Sequence, residues 1–244
     1  MHIANGIAAI GLACAFGSFG SLPARAVVAG QEGGPSAGST LMVLNARGGV
    51  CTGIVLSARA ILTAAHCAAG GTELRVHWRE GGEPVLVVPS AVAMHPEFDA
   101  GAIRSRRRTI DLALVRLAEP LPGRFSSVTL AGYGVSREGE ARSTGTYRSA
   151  ALTTVEPYGP GRILLWAADD AGGGKRPGAG ACQGDSGGPI FGDDGIVAVT
   201  SWSTGPSGRQ CGLLSQGVLV APQRGWIDST LSKWGESARW TRGR

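Results

Sequence analysis

The sequence predicts an all-β chain in two halves. Composition is the first reason: 40 of the 244 residues are glycine, 13 are proline and 6% are aromatic, and glycine and proline at that density mark frequent turns. Periodicity is the second. The middle of the chain carries no long run of helical spacing, whereas short apolar or alternating runs recur between Gly, Pro and Ser clusters. Length is the third, because all-β barrels of this size commonly form one domain with a substantial core.

Residues 1–20 are almost uncharged and apolar from Ile7 to Phe19, too short for a membrane span. Ala24-Arg25-Ala26 then offers a small-x-small cleavage site before Val27. We therefore expect a signal peptide over residues 1–26, although its n-region lacks the usual lysine or arginine. The protein is then secreted, to the cell exterior or a periplasm, with no stable membrane insertion after cleavage. Lipid attachment at Cys14 is disfavoured, because Gly11-Leu12-Ala13-Cys14 lacks an aliphatic residue three positions before the cysteine.

After Val27-Val28-Ala29-Gly30 and a Gly/Pro/Ser-rich stretch, Leu41–Leu44 and Val50–Leu56 read as a hairpin around Arg47-Gly48-Gly49. Ala60–Thr63 is a short apolar strand, and Ala64–Ala69 suits one helical turn carrying His66. Leu74–Trp78 and Val85–Val88 are strands about Gly81-Gly82, with His77 on the polar side of the alternation. His95 to Ile110 reads as one loop containing Arg104, Arg106, Arg107 and Arg108. Asp111–Leu117 is an apolar run with one acid at its head, and an acid in that position needs a partner.

Pro120-Leu121-Pro122-Gly123 is the expected crossover between halves, giving 27–122, 123–221 and a C-terminal helix within 222–236 of a single domain spanning 27–244. In the second half, Val128–Gly134, Tyr147–Val155, Ile163–Ala168, Ile196–Trp202 and Gly217–Val220 read as strands. Arg224–Trp234 has helical spacing that turns Trp226, Ile227 and Leu231 toward the body.

Loss of the leader removes Cys14 and leaves Cys51, Cys67, Cys182 and Cys211, an even set in an exported chain. Four cysteines allow three pairings. The local one, Cys51 with Cys67 and Cys182 with Cys211, staples two separate segments, each closure contributing about 3 kcal/mol in the chain-entropy model. No C-x-x-C or paired Cys/His spacing suggests zinc. Arg25 is the one Lys or Arg in the leader, so 22 of the 23 basic residues remain against 18 acidic ones, a net charge of +4. The arginine cluster and the tail carrying Arg239, Arg242 and Arg244 read as a solvated loop and tail rather than a polyanion-binding patch, because aromatics do not interleave with the arginine cluster.

Three segments carry chemistry. Cys182-Gln183-Gly184-Asp185-Ser186-Gly187-Gly188-Pro189 suits presentation of a serine hydroxyl beside backbone N–H donors. A lone serine is a poor nucleophile, so a histidine base and an orienting carboxylate must come from elsewhere. Thr63-Ala64-Ala65-His66-Cys67 and Asp111-Leu112-Ala113-Leu114-Val115 are the candidate suppliers.

These segments, in the order His, Asp, Ser, resemble those of the trypsin/chymotrypsin-like serine peptidases over nearly the whole mature chain, and a secreted bacterial-type member is the expectation. The resemblance implies two antiparallel Greek-key six-stranded β-barrels with a C-terminal helix and a site in the cleft between them. It implies His66 as general base, Asp111 as its orienting acid, Ser186 as nucleophile, and the N–H groups of Gly184 and Ser186 as oxyanion donors. It also implies that a freed Val27 ammonium pairs with Asp185. Here the signal-peptidase site itself would release that amine, with no separate propeptide.

Substrate-pocket positions implied by the resemblance are Gly180, Ala181, Gln183, Ser201, Trp202, Ser203 and Gly217. Glycine at 180, where an aspartate would select lysine or arginine, leaves a basic side chain without a counter-charge. Ser203 is expected to narrow the entrance and Gly217 to leave depth. The expected activity is a serine endopeptidase that cuts after small to medium uncharged residues and needs no cofactor or metal. Its partners are protein or peptide substrates and protein inhibitors, not nucleic acid, and it is a monomer. The competing reading is a catalytically silent peptidase-like binding protein.

Overall fold

A computed structural model describes residues 27–28, 30–33, 38–69, 73–105, 107–122, 132–155, 163–169, 175–192 and 195–241. The leader, Gly70-Gly71, most of the strand expected at Val128–Gly134, Arg106, Arg242 and Arg244 lie outside the described residues. The first half holds β1 (Gln31–Glu32), β2 (Thr40–Asn45), β3 (Val50–Val55), β4 (Ala60–Thr63), β5 (Leu74–Glu80), β6 (Glu83–Val87), β7 (Ala91–Met94) and β8 (Ala113–Arg116). Two short helices, α1 (Ala65–Ala68) and α2 (Ala100–Ser105), interrupt them. The second half holds β9 (Arg148–Ser149), β10 (Thr153–Thr154), β11 (Leu164–Ala168), β12 (Pro189–Gly192), β13 (Gly195–Thr204), β14 (Leu214–Leu219) and helix α3 (Arg224–Lys233).

Two curled antiparallel sheets result. The first runs β6-β5-β2-β3-β4-β8-β7 and the second β10-β11-β14-β13-β12, while β1 pairs with β9. Among the described residues the two sheets have seven and five strands, and their two-sheet architecture matches the expected two-barrel fold. The hairpin at 41–56 forms as expected, with Asn45 Oδ1 accepting from the N–H groups of Arg47 and Gly49. The loop expected from His95 to Ile110 holds α2, and β7 precedes it. Alternation in β7 leaves Val92 and Met94 exposed, so its apolar residues do not read as a one-sided core strand.

Strands β4 and β8 are buried on both faces, because alternate side chains enter two different cores. Ile61 and Val115 join Leu41, Val43 and Val76 inside the first half. Leu62 and Leu114 point the other way, into a cluster with Ile54, Leu112, Val199, Val218, Ile227 and Leu231. That second cluster draws on both halves and on α3. Each fully buried side chain of this kind contributes about 1.5–3 kcal/mol, so docking of the halves is an apolar event.

A polar seam runs beside it. Thr52, fully buried on β3, donates its N–H to Ser186 O at 2.7 Å and its hydroxyl to Gly184 O at 3.0 Å. Gly187 sits against the same seam at φ +85°, where an added Cβ would lie 2.0 Å from Thr52 O and 2.1 Å from Thr63 Oγ1. Replacing Gly187 by alanine combines a left-handed backbone with a steric conflict against buried oxygens. It should destabilise by about 3 kcal/mol or more. Gly208 has a similar φ of +78° but open space around it, so Gly208→Ala should cost only about 1 kcal/mol. Urea unfolding of the two variants checks this; equal losses would contradict the packing account.

Candidate active site

Asp111 heads the apolar run that becomes β8, and its side chain is wholly shielded from solvent. A buried carboxylate is costly unless donors meet it. Three do: the His66 backbone N–H reaches Oδ1 at 2.8 Å, while His66 Nδ1 at 2.7 Å and the Ser201 hydroxyl at 2.5 Å reach Oδ2. A carboxylate oxygen in this network is an acceptor, so Nδ1 carries the proton and Nε2 keeps its lone pair. His66 follows β4 on the single turn α1, and the Cys51–Cys67 disulfide ties that turn back to β3. Both sulfurs beside the imidazole are consumed in that bond, which leaves no thiolate for a metal.

Ser186 comes from the second half, and the structure brings it to the same place through Ser201. Its hydroxyl donates to Ser201 O at 3.2 Å, and Ser201 Oγ bonds Asp111. In the resting arrangement the Ser186 hydroxyl is thus turned to a backbone carbonyl. Gly184 adopts φ +95°, and among the described residues the N–H groups of Gly184 and Ser186 donate to no protein acceptor. Two unspent donors next to a hydroxyl can receive a developing oxyanion. The Cys182–Cys211 disulfide anchors the start of this loop, with the Gln183 side chain against it.

Asp185 turns away from Ser186 into the protein. Its carboxylate accepts from Gly134 N–H and Cys182 N–H, both at 2.9 Å, and an added Cβ at Gly132 or Gly134 would strike it. Burial pushes this carboxyl up to about 7, against the pull of the two N–H donors and the Arg148 cation. Val27, 4% exposed, shares a cavity with Asp185, Leu152, Ala181, Ile190, Thr200 and Ser215. Val28 bridges Gly180, whose N–H donates to Val28 O at 3.1 Å. The N-terminal segment is held there by Glu32, whose Oε1 accepts from Arg148 Nε at 3.2 Å and Nη2 at 2.7 Å. Arg148 is nearly buried and its backbone pairs with both Glu32 and Gly132. Neither Glu32 nor Arg148 stands out in the sequence, since the ion pair joins residues 116 apart.

Comparison with known proteins agrees with this geometry. The trypsin family model matches residues 27–221. The chain belongs to the trypsin family. It is a serine endopeptidase, and its substrates are proteins or peptides. Similar relatives include trypsin zeta of Drosophila melanogaster, 29% identical over 75% of this chain and 74% of that protein. Trypsin 5G1 of Aedes aegypti is 30% identical over 72% and 73%, and trypsin-3 of Salmo salar is 28% identical over 75% and 83%. These relatives come from insects and a fish, so the bacterial-type expectation gains no support from them.

Among the expected pocket positions, Gly217 needs correction. Space above Gly217 is filled, because an added Cβ would meet Ile190 Cδ1 at 2.6 Å and Ala198 Cβ at 3.0 Å. The glycine admits core side chains instead of leaving depth. Ser215, two residues earlier on β14, is the residue beside Gly180: its Oγ lies 3.2 Å from where a Cβ on Gly180 would stand and accepts from Ala181 N–H at 2.9 Å. Ser203 is paired with Ser215 across β13 and β14, and its hydroxyl donates to Gln210 O at 2.8 Å. Trp202 is half-buried and meets Trp166 edge-on at 4.9 Å. Register could have flagged Ser215 only if the bulge between Thr200 and Trp202 were known.

The Asp185 carboxyl sets a pH dependence while Val27 remains in peptide linkage. A carboxyl raised from 3.8 to about 7 binds more protons folded than unfolded, so stability falls as pH rises through that window and the loss is complete above it. At ~1.4 kcal/mol per pH unit the loss is of order 4 kcal/mol. Asp185→Asn should abolish this fall. Urea titrations of both proteins from pH 4 to pH 8 would show a widening difference; a constant difference would contradict the assignment.

Proposed function

We propose that the chain is a secreted endopeptidase acting through an acyl-enzyme at Ser186, with a preference for small to medium uncharged residues on the acyl side of the cut bond. One observation carries the reading: a single buried carboxylate, Asp111, accepts from His66 and from the Ser201 that holds the Ser186 hydroxyl. In the reaction the Ser186 hydroxyl leaves Ser201 O and turns to His66 Nε2. Oγ attacks the substrate carbonyl as Nε2 takes its proton, and the N–H groups of Gly184 and Ser186 receive the oxyanion. The imidazolium, stabilised by Asp111, then protonates the leaving amine. Water repeats the sequence to free the acid and restore Ser186.

The amine that Asp185 requires comes from cleavage before Val27. In the intact chain Val27 has φ +46°, a costly conformation for a β-branched residue. That dihedral ceases to exist when the preceding peptide bond is cut, and the new ammonium is released into the cavity it shares with Asp185. Relief of strain and pairing of a buried charge thus favour the same event. Cleavage by signal peptidase supplies it without a further activation step. Two disulfides fit an oxidising compartment, and among the described residues no helix is long and apolar enough to cross a membrane.

For the pocket, Gly180 supplies no carboxylate, and Ser215 sits at its base with its hydroxyl already accepting from Ala181. A lysine or arginine side chain would be desolvated there without a counter-charge, whereas a small apolar one would not. Substrate profiling should show alanine, valine or leucine cut faster than arginine; arginine ahead by tenfold would overturn this preference.

Incubation of the chain beginning at Val27 with a peptidyl phosphonate should add its mass to Ser186. A folded, correctly processed sample that stays unlabelled would favour the silent binding protein. Asp111→Asn should lower kcat/KM by about 10⁴-fold, as in the general Ser-His-Asp case, and one or more residues retained before Val27 should remove most activity. Full activity in either protein would contradict the proposed roles.

A further inference from the structure

The Arg148–Glu32 pair has a setting that neither residue shows alone. Glu32 follows Val27 closely in the chain, on the two-residue strand β1, and Arg148 stands opposite it on β9. That pairing, continued by Gly33 N–H donating to Tyr147 O at 3.1 Å, is where the N-terminal segment joins the body of the protein. On its other edge Arg148 exchanges two backbone bonds with Gly132, at 3.0 and 3.1 Å. Gly132 in turn lies against the Asp185 carboxylate, so closely that an added Cβ would strike Oδ1. Arg148 therefore holds the segment beginning at Val27 with one edge and backs the seat of the acid beside Ser186 with the other.

The charges around it are unequal. The Arg148 side chain is 6% exposed, and a buried guanidinium is costly without acceptors. It has Glu32 Oε1, reached by both Nε and Nη2, and Ser143 O at 3.5 Å from Nη1. Its field also acts on Asp185. One buried cation thus serves two acids while Val27 remains in peptide linkage, and the group is one positive charge short. A Val27 ammonium supplies it, because Leu152, Ala181, Ile190, Thr200 and Ser215, which line the cavity with Val27 and Asp185, carry none. With Asp185 met by the amine, Arg148 is left to Glu32.

We infer that Glu32 and Arg148 are positioning residues whose pair latches the freed N-terminal segment, keeping the Val27 amine at Asp185 and the loop around Ser186 in its oxyanion-binding form. This rests on the reading of cleavage before Val27 given above. It is the charged amine that meets Asp185, so docking and protonation are linked. A free α-amino group titrates near ~8, and docking raises that value in the folded state. Docking is at full strength below the unfolded value and is lost as pH rises through the folded one. Activity therefore falls on the alkaline side, at a midpoint that drops by about one pH unit for each tenfold weakening of docking.

Profiles of kcat/KM from about pH 6 to about pH 10, on chains beginning at Val27, test the latch. Glu32→Gln should lower the alkaline midpoint by about 0.7 pH unit, equivalent to about fivefold weaker docking. Glu32→Lys sets a cation against Arg148 and should lower it further. Arg137→Gln breaks an exposed pair with Glu140 and should leave the midpoint unmoved. In an Arg148→Met background the Glu32→Gln shift should disappear, because the two residues act as one pair. Where Arg148→Met does not fold, the Glu32 variants carry the test, since Glu32 is half exposed. Unchanged midpoints in both Glu32 variants overturn the inference, whatever their stability. A wild-type profile with no alkaline fall, or equal activity in a chain that keeps residues before Val27, overturns the N-terminal reading and the latch with it. Phosphonate labelling of Ser186 reports on the endopeptidase reading separately.

Discussion

Everything in the cleft depends on one buried carboxylate. Asp111 belongs to the first half by sequence, yet its three donors come from both: His66 twice and, from β13, Ser201. Buried acceptors demand satisfaction, so the halves cannot separate or rotate without leaving a charge uncompensated in an apolar setting. The cost of such a break, 3–5 kcal/mol for a buried pair losing a partner, is a large part of the stability of an ordinary domain. The geometry around Asp111 and docking of the halves are thereby one problem with one solution.

The loop around Ser186 is held in a comparable way. Thr52 grips Ser186 O and Gly184 O, Gly187 N–H donates to Thr200 O, and Asp185 is sunk against Gly132 and Gly134. Carbonyls of the loop are thus spent on the protein, while among the described residues the N–H groups of Gly184 and Ser186 donate to no protein acceptor. The Arg148–Glu32 pair extends the same frame to the N-terminal segment, one strand away from the Asp185 wall. The proposed release of the Val27 amine and the proposed oxyanion donors would therefore share this frame, with Asp185 beside Ser186 as its buried charge.

Much of this was legible in the sequence, and the reasons are physical. Short motifs around His66, Asp111 and Ser186 need particular residue types in a row, so they survive as strings. The local cysteine pairing, the 41–56 hairpin and α3 follow from spacing within a few tens of residues. What escaped depends on register and on distance along the chain. Ser215 and Gly217 differ by two positions on one strand, and only the bulge in β13 decides which stands beside Gly180. Val92 and Met94 are exposed on an edge strand, so β7 lacks a core pattern, and α2 is too short to show a period. The resting bond from Ser186 to Ser201 O is a rotamer choice that no sequence pattern encodes.

The central claim is that Asp111 fixes the imidazole with its proton on Nδ1 and its lone pair on Nε2. Nitrogen-15 NMR of selectively labelled histidine, at a pH where His66 is neutral, reads this directly. The account expects a protonated, strongly deshielded Nδ1–H and a bare Nε2 for His66, lost or exchanged for the other tautomer in Asp111→Asn. A His66 protonated on Nε2 in the unaltered protein, or one unaffected by Asp111→Asn, would contradict it.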